Sequence, residues 1–219
     1  MKDHKAFIFD FDLTLADSSK GILMCFKHTL AAFGYPVPDD DIIKGTIGLT
    51  IVDSFDVLTG IKNNPQREQM KKFYTDKANE VMSANTFFYE DTVELLTALR
   101  KSGRKVGIVS TKMRYRIEES FEMQTGAHPY DIIVGVGDVS EPKPSPMGLL
   151  CAMESLGVNR EDVLYVGDSY IDAETAKNAG VDFGAVTTGT TTRYDFEKHP
   201  HLYIEGSLKE LLSRYVNKM

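Results

Sequence analysis

Short apolar segments alternate with longer amphipathic segments along most of this chain. The first apolar segment, residues 6–9, is followed at once by polar residues and has the length of a buried strand. Four later segments repeat the pattern, separated by stretches with apolar residues at helical spacing. The predicted strands cover residues 5–10, 105–110, 131–134, 162–167 and 181–186. Five buried strands that alternate with helices predict an α/β fold with a doubly wound parallel sheet.

One long helical stretch interrupts this alternation. Between Ser18 and Ala84 the pattern predicts helices around residues 21–33, 42–43, 48–58 and 65–82. Later helices are predicted at residues 90–101, 113–123, 145–156, 169–179 and 208–216. Because the strand–helix alternation resumes after Ala84, we expect an inserted helical cap domain rather than a tandem domain. The expected division is a cap of residues 17–83 within a Rossmann-like core of residues 1–16 and 84–219.

The composition narrows the classes of function. Of the 219 residues, 42% are hydrophobic and 26% are charged, which argues against disorder. The formal charge of −7 argues against binding to nucleic acid or to anionic membranes, since both need a basic face. The first apolar segment is too short for a signal peptide, and no segment has the length of a membrane span. A cytoplasmic location is expected, with Cys25 and Cys151 as unreactive thiols rather than a disulfide or a metal pair.

Two carboxylates, Asp10 and Asp12, stand at the end of the first predicted strand. Open α/β sheets bind their ligands at the carboxyl ends of the strands, so both residues are expected at a binding site. Carboxylates this close repel each other unless a cation or a shared proton relieves them. Mg²⁺ prefers oxygen ligands and suits phosphate chemistry. An ordinary turn with solvated aspartates is the alternative, and the motif alone does not decide between the two.

Three further predicted strands are followed by groups that suit the same chemistry. These groups are Ser110 with Thr111, Lys143 in a proline-rich segment, and Asp168 with Asp172. Each has an ordinary explanation when taken alone: a helix cap, a solvated cation, or aspartates at a helix N-terminus. Together with Asp10 and Asp12 at one sheet edge, they supply the groups that phosphoryl transfer requires. These groups are a carboxylate nucleophile, an acid–base carboxylate, Mg²⁺ ligands and side chains that bind phosphate oxygens.

The order and strand context of these residues resemble the four motifs of the haloacid dehalogenase superfamily, in its phosphatase branch with a helical cap after the first strand. The resemblance covers essentially the whole chain. The matching residues are Asp10, Asp12 and Thr14, then Ser110, then Lys143, and finally Gly167, Asp168, Ser169 and Asp172. One departure is Leu13, where many relatives have glycine, because leucine adopts a positive φ only at a cost.

The resemblance implies a role for each matched residue. Asp10 would be the nucleophile and a Mg²⁺ ligand, Asp12 the general acid–base with its backbone carbonyl on the metal, and Asp168 the third ligand. Thr14 and Asp172 would support these ligands, with Asp172 orienting the lysine or a metal-bound water. Phosphate binding is implied for Ser110, Thr111 and Lys143. The implied activity is Mg²⁺-dependent hydrolysis of a small phosphorylated metabolite through an aspartyl-phosphate.

A glycine-rich loop in the expected cap, residues 44–50, is expected to face the site and to select the substrate. Lys44 and Thr46 are the candidates to contact the far end of a small anionic substrate. Lys112 and Arg114, at the rim of the core, are the next candidates. An ordinary helix–helix turn is the alternative interpretation of this loop.

The arrangement is similar to phosphoglycolate phosphatases, with inorganic pyrophosphatases of the same branch as the alternative. A sugar phosphomutase is disfavoured because residues 15–20 lack the histidine of that class and Gly48 stands where mutases have arginine. A metal-independent dehalogenase would need neither Asp12 nor Asp168. A non-catalytic binding protein would have lost a nucleophile or a ligand, and none is missing. The sequence carries no signal for an oligomeric state.

Overall fold

The computed structural model describes residues 2–216 and contains the predicted parallel sheet. The strands of the described residues are β1 (Ala6–Phe9), β2 (Ala16–Asp17), β3 (Phe87–Phe88), β4 (Lys105–Val109), β5 (Ile132–Val134), β6 (Val163–Gly167), β7 (Asp182–Val186) and β8 (Tyr203–Glu205). Six of them form one parallel sheet in the order β5-β4-β1-β6-β7-β8. The five predicted strands are confirmed. β8 was not predicted, because three residues ending in Glu205 are too few for a strand pattern.

The predicted helices are also present. The helices of the described residues are α1 (Ser19–Ala32), α2 (Asp40–Lys44), α3 (Ile51–Thr59), α4 (Arg67–Val81), α5 (Thr92–Lys101), α6 (Arg114–Thr125), α7 (Met147–Leu156), α8 (Tyr170–Ala179), α9 (Arg193–Phe196) and α10 (Leu208–Tyr215). α4 begins at Arg67 rather than at Pro65, because Asn64 accepts the backbone N–H groups of Gln66 and Arg67 in a preceding turn. α9 was not predicted, since four residues are too short for a helical pattern. Among residues 2–216, none of the helices has the length and hydropathy to cross a membrane.

Helices cover both faces of the sheet. Alternate residues of a strand point to opposite faces, so Phe7 and Phe9 of β1 join one buried cluster while Ala6 and Ile8 join another. α5, α6 and α10 pack on the first face, and α7, α8 and α9 pack on the second. This arrangement is the doubly wound fold expected from the sequence, with the strand ends of β1, β4 and β6 at its centre.

Helices α1–α4 have a hydrophobic core of their own. The ring of Phe26 lies 4.7 Å from that of Tyr74 and 5.1 Å from that of Phe55, measured between centroids. The chain enters and leaves this helical segment through the antiparallel pair β2–β3, in which Ala16 faces Phe88. These two-residue strands carry no alternation and were not predicted. The division between residues 17–83 and the remainder stays a prediction.

Both cysteines are free. Cys25 is buried in the core of the helical segment, and Cys151 on α7 is half-buried against the second face of the sheet. Burial raises the pKa of the Cys25 thiol to about 11. A thiol with a raised pKa stays protonated at neutral pH and is a poor nucleophile. The expectation of an unreactive thiol therefore fits the surroundings of Cys25.

Gly184 allows β7 to pass close to the side chain of Tyr203 on β8. A Cβ atom at Gly184 would lie 2.2 Å from Cζ of the Tyr203 ring. We expect Gly184→Ala to lower the free energy of unfolding by about 2 kcal/mol, because the ring must shift within a packed sheet. Urea unfolding measures this change. Gly206→Ala is the matched control, since its Cβ would meet only Glu210 Oε1 at 3.5 Å. Equal losses in both variants would contradict this packing.

Candidate active site

The carboxyl ends of the three central strands bring the predicted site residues together. Asp10 follows β1, Ser110 follows β4 and Asp168 follows β6, and these strands are neighbours in the sheet. The backbone N–H of Asp10 donates to the carbonyl of Val166 at 2.9 Å, and that of Ser110 donates to Val134 at 3.1 Å. These side chains therefore start from a rigid sheet edge rather than from a free loop.

Three carboxylates form a buried cluster at this edge. One oxygen each of Asp10, Asp168 and Asp172 lies within 4.8 Å of the others, and the three residues are at most 3% exposed. Lys143 supplies a cation, with Nζ 3.0 Å from Asp10 Oδ1 and 2.6 Å from Asp172 Oδ1. Buried like charges at this separation disfavour full ionisation. Lys143 offsets only part of this repulsion.

Asp172 is held through both of its carboxylate oxygens. Lys143 Nζ and the Tyr165 hydroxyl donate to Oδ1 at 2.6 and 2.9 Å. The backbone N–H and the hydroxyl of Ser169 donate to Oδ2 at 3.1 and 2.5 Å. In return, the N–H of Asp172 donates to Ser169 Oγ, and this reciprocal pair caps the start of α8. With Asp172 engaged in this way, Asp10 and Asp168 are the carboxylates available to a cation.

Burial sets the proton affinity of the cluster. It raises the pKa of Asp10 to about 6, an effect that the Lys143 ammonium opposes and the Asp172 carboxylate reinforces. Burial also raises the pKa of Asp168, with repulsion from Asp172 and Asp10 adding to the effect. Burial disfavours the charged form of Lys143, but attraction to Asp10 and Asp172 outweighs it and raises the lysine pKa. The cluster therefore has a high affinity for positive charge.

The donor set fits a hard divalent cation. Three carboxylates face one ammonium, which leaves two negative charges without a counter-charge when all four groups are ionised. Within residues 2–216, Asp10 Oδ1 is buried without a hydrogen-bond donor, and Lys143 approaches it at 3.0 Å as an ion pair. Carboxylate oxygens are the ligands that Mg²⁺ prefers. The expected Mg²⁺ thus matches both the charge and the chemistry of these residues.

A loop after β7, residues 187–191, passes close to Asp168. A Cβ atom at Gly189 would lie 1.9 Å from Asp168 Oδ2, so only glycine fits there. The Thr14 hydroxyl donates to the other oxygen, Oδ1, at 2.7 Å. Thr14 and Gly189 therefore fix the position of the Asp168 carboxylate between them.

Leu13 adopts a backbone conformation that glycine favours, with φ at 61°. Its N–H donates to the Ala16 carbonyl at 2.7 Å, and its own carbonyl accepts from the Thr188 hydroxyl. The leucine side chain is 6% exposed, so its burial offsets the cost of the left-handed conformation. Leucine is therefore compatible with the turn that follows Asp12.

The Asp12 carboxylate lies outside the cluster of three. Its Oδ1 accepts from Lys112 Nζ at 2.7 Å and from the Ser18 hydroxyl. Lys112 Nζ also lies 5.6 Å from the centroid of the Phe11 ring. Asp12 lines a cavity between the helical segment and the core. Asp10 and Asp12, although two residues apart, therefore face different surroundings.

The cavity beside Asp12 has a volume of about 460 Å³, which suits a small molecule. Besides Asp12, three of the site residues proposed from the sequence line it, namely Thr46, Thr111 and Lys112. The Thr46 hydroxyl is not free towards the cavity, because it donates to the carbonyl of Ile43 at 2.7 Å. The glycine-rich loop of the helical segment thus reaches the same space as the second strand end of the core.

Lys44 and Arg114 do not line this cavity. Lys44 ends α2 with its side chain 36% exposed and its Nζ 4.0 Å from Asp41. Arg114 instead pairs with Asp138 at 3.0 Å. Arg116, two residues further along α6, lines the cavity and donates to Asn79 of α4. The direction of the first turn of α6 decides which arginine faces the cavity, and the sequence pattern does not define that direction.

Four neighbours of the site were not predicted, and they are Ser18, Arg116, Tyr165 and Gly189. In the sequence pattern Tyr165 is an ordinary residue of a buried strand, but in the structure its hydroxyl donates a hydrogen bond to Asp172. Gly189 lies in the polar run 187–191 directly after the last predicted strand. That run could have indicated a further contribution to the site, because it follows a parallel strand in the same way as the four motifs do.

Several known proteins are similar to this chain. The sequence pattern of the haloacid dehalogenase-like hydrolases matches residues 7–186. The pyrophosphatase PpaX of Bacillus cereus is 30% identical over 207 residues, which cover 94% of this chain and 93% of the relative. A haloacid dehalogenase-like hydrolase from Bacteroides fragilis is 44% identical, with a TM-score of 0.93 over 95% of this chain and 100% of that one. A protein from Lactobacillus delbrueckii named as a phosphoglycolate phosphatase shares the fold, with a TM-score of 0.87 at 21% identity over 98% of this chain and 99% of that one.

These matches extend over the features that define the site. The family match includes every strand end from Asp10 to Asp172, and the Bacteroides structure covers both the sheet and the helical segment. The chain therefore belongs to the haloacid dehalogenase-like hydrolase family and is an enzyme of its phosphatase kind.

Proposed function

We propose that this protein hydrolyses a small phosphomonoester with the help of Mg²⁺, through a phosphoryl group carried on Asp10. The supporting observation is the buried oxygen Asp10 Oδ1, which lies beside Lys143 and Asp168 and lacks a hydrogen-bond donor within residues 2–216. A carboxylate oxygen that is shielded from water is suited to attack on phosphorus. The neighbouring ammonium suits the negative charge of a phosphate.

Asp10 and Asp168 would hold the Mg²⁺, together with the main-chain carbonyl of Asp12 that the family resemblance implies. Bound there, the cation supplies charge neutralisation for the phosphate oxygens. Thr14 and Gly189 contribute by holding the Asp168 carboxylate in one position. Asp172 contributes by holding the ammonium group of Lys143 in place through a hydrogen bond.

The phosphoryl group is transferred twice in this proposal. Asp10 attacks phosphorus, the bond from phosphorus to the leaving oxygen breaks, and a proton on Asp12 passes to that oxygen. Water then attacks the same phosphorus, returns a proton to Asp12 and releases inorganic phosphate, which restores Asp10. The residues that bind the phosphate oxygens in both steps are Ser110, Thr111 and Lys143.

Two contacts hold the Asp12 carboxylate in place for this role. Lys112 Nζ lies 2.7 Å from its Oδ1. The Ser18 hydroxyl, which donates to the same oxygen, keeps the carboxylate oriented throughout.

Pyrophosphate is the second candidate substrate, because a relative at 30% identity is a pyrophosphatase.

Initial rates with alkyl phosphates, phosphoglycolate and pyrophosphate, each measured in Mg²⁺ and in excess chelator, test the proposed function. We expect hydrolysis in Mg²⁺ and a loss of at least about a hundredfold in chelator, because the carboxylate cluster then lacks its counter-charge. Full activity in chelator would contradict the proposal.

The buried Asp10 carboxyl also predicts a pH-dependent stability of the metal-free protein. Its pKa is about 6 in the folded state against an ordinary value of 3.8, so its contribution to stability is complete below 3.8 and is lost as the pH rises through 6. We expect the free energy of unfolding, relative to that of Asp10→Asn, to fall between about pH 3.8 and about pH 6. Added Mg²⁺ should restore stability at the higher pH, because it binds the folded cluster.

Urea unfolding in chelator, repeated with Mg²⁺, measures this difference. Asp76→Asn is the matched control, because Asp76 is exposed on α4 and lies outside the cluster. The difference between the protein and Asp76→Asn should not change on addition of Mg²⁺. A difference from Asp10→Asn that stays constant over this pH range and does not respond to Mg²⁺ would show that the cluster bears no excess charge.

A further inference from the structure

The cavity next to Asp12 has mainly apolar walls. The side chains that form them include Ile22, Phe26, Val52 and Tyr74 of the helical segment and Met113 and Val136 of the core. Apolar walls favour a ligand group that removes them from water. A polar group in the same place would lose its own hydration and find few hydrogen-bond partners on walls that are mainly apolar. The lining therefore favours an apolar portion of the substrate.

The cations on these walls are either already paired or open to solvent. Lys112 is paired with Asp12 at 2.7 Å, and Arg116 donates to Asn79 across the two parts of the protein. Lys71, the remaining cation of the wall, is exposed. A second anionic group on the substrate would have to break these contacts or stay near Lys71 in water. The walls are thus poorly suited to the carboxylate of phosphoglycolate or the second phosphate of pyrophosphate.

Asp12 defines which end of a substrate enters the cavity. It lines the wall, whereas Asp10 and Asp168 belong to the buried cluster and do not. In the proposed reaction Asp12 protonates the leaving oxygen while Asp10 attacks phosphorus from the cluster. The leaving group therefore extends from phosphorus past Asp12 and into the cavity.

The helical segment already contacts the core in the structure that contains this cavity. The loop at Gly48 rests against the core, because a Cβ there would lie 3.4 Å from Ile171 Cδ1 and 3.4 Å from Ser169 Oγ. The volume of about 460 Å³ is therefore the volume of the cavity with this loop in contact with the core. A two-carbon acid or a phosphate would fill only a small part of it and would leave apolar walls wet.

We infer that the substrate is a phosphomonoester whose leaving alcohol carries an apolar group of about the size of an aromatic ring, bound in this cavity. This inference rests on the proposed phosphatase function and names the substrate class of the same site. It selects against pyrophosphate and small dianionic esters, which present charge rather than apolar surface to the walls.

A matched pair of substrates tests the inference. Ethyl phosphate and 2-phenylethyl phosphate have leaving alcohols of similar acidity, so the chemical step is alike and only the apolar group differs. We expect kcat/KM for the phenylethyl ester to exceed that for the ethyl ester by at least about tenfold, since the ring is buried in the transition state. It should also exceed the values for phosphoglycolate and pyrophosphate.

Two variants of α3 place the effect in the cavity. Val52→Phe adds a ring to the cavity wall and should reduce the preference for the phenylethyl ester to about threefold or less. Val57→Phe is the matched control, because Val57 is on the same helix and 58% exposed, and it should keep the preference. Inhibition of the unmodified protein by 2-phenylethylphosphonate and ethylphosphonate provides a measurement that does not depend on variant folding, and the phenylethyl compound should bind more tightly.

The outcomes separate this inference from the proposed function. Mg²⁺-dependent hydrolysis with equal kcat/KM for both alkyl esters, or with pyrophosphate as the best substrate, would overturn the inference and leave a phosphatase. Equal inhibition by the two phosphonates would overturn it as well. If folded Val52→Phe keeps the full preference for the phenylethyl ester, the apolar group does not bind in this cavity and the inference is wrong. Failure to hydrolyse any of these esters with Mg²⁺ would overturn the proposed function and the inference together.

Discussion

Three buried carboxylates that share a single lysine ammonium are the constraint on which this site depends. Lys143 lies 3.0 Å from Asp10 and 2.6 Å from Asp172, yet one positive charge cannot balance three negative ones. Such a cluster persists in a folded protein only when protons or a cation occupy it. The same imbalance that lowers stability would favour the binding of a divalent ion, as the proposed function requires. The surrounding hydrogen bonds, above all those of Tyr165 and Ser169 to Asp172, keep the lysine in place.

The turn after β1 separates two chemical environments within three residues. Asp10 enters the buried cluster, and Asp12 lies on the wall of a cavity with mainly apolar surroundings. Phe11, which is fully buried, connects them, and Leu13, which follows Asp12 in a left-handed conformation, is buried as well. A phosphate held by the cluster and an organic group held by the cavity would therefore meet at the bond that is broken. The loop at Gly48, seated on Ser169 and Ile171, closes this space from the side of the helical segment.

The sequence predicts the polar half of the site better than the apolar half. Asp10, Ser110 and Asp168 stand directly after strands, where topology alone brings them to one edge of the sheet. The cavity depends on how helices of the insertion pack on the core, and no periodicity in the sequence encodes that packing. For this reason Lys44, a plausible loop cation, lies off the wall, whereas Arg116 lies on it. The strand β8 and the pair β2–β3 were missed for a simpler cause, since two or three residues carry no pattern.

Capture of the phosphoryl group on Asp10 tests the proposed chemistry most directly. The enzyme would be mixed in Mg²⁺ with a phosphomonoester, quenched in acid within milliseconds and digested for mass spectrometry. A transient phosphoryl group on the peptide that contains Asp10, released by hydroxylamine as an acyl phosphate and absent in Asp10→Asn, is the predicted result. Rapid turnover with no phosphorylated peptide at any quench time, or with the group on another residue, would contradict Asp10 as the nucleophile.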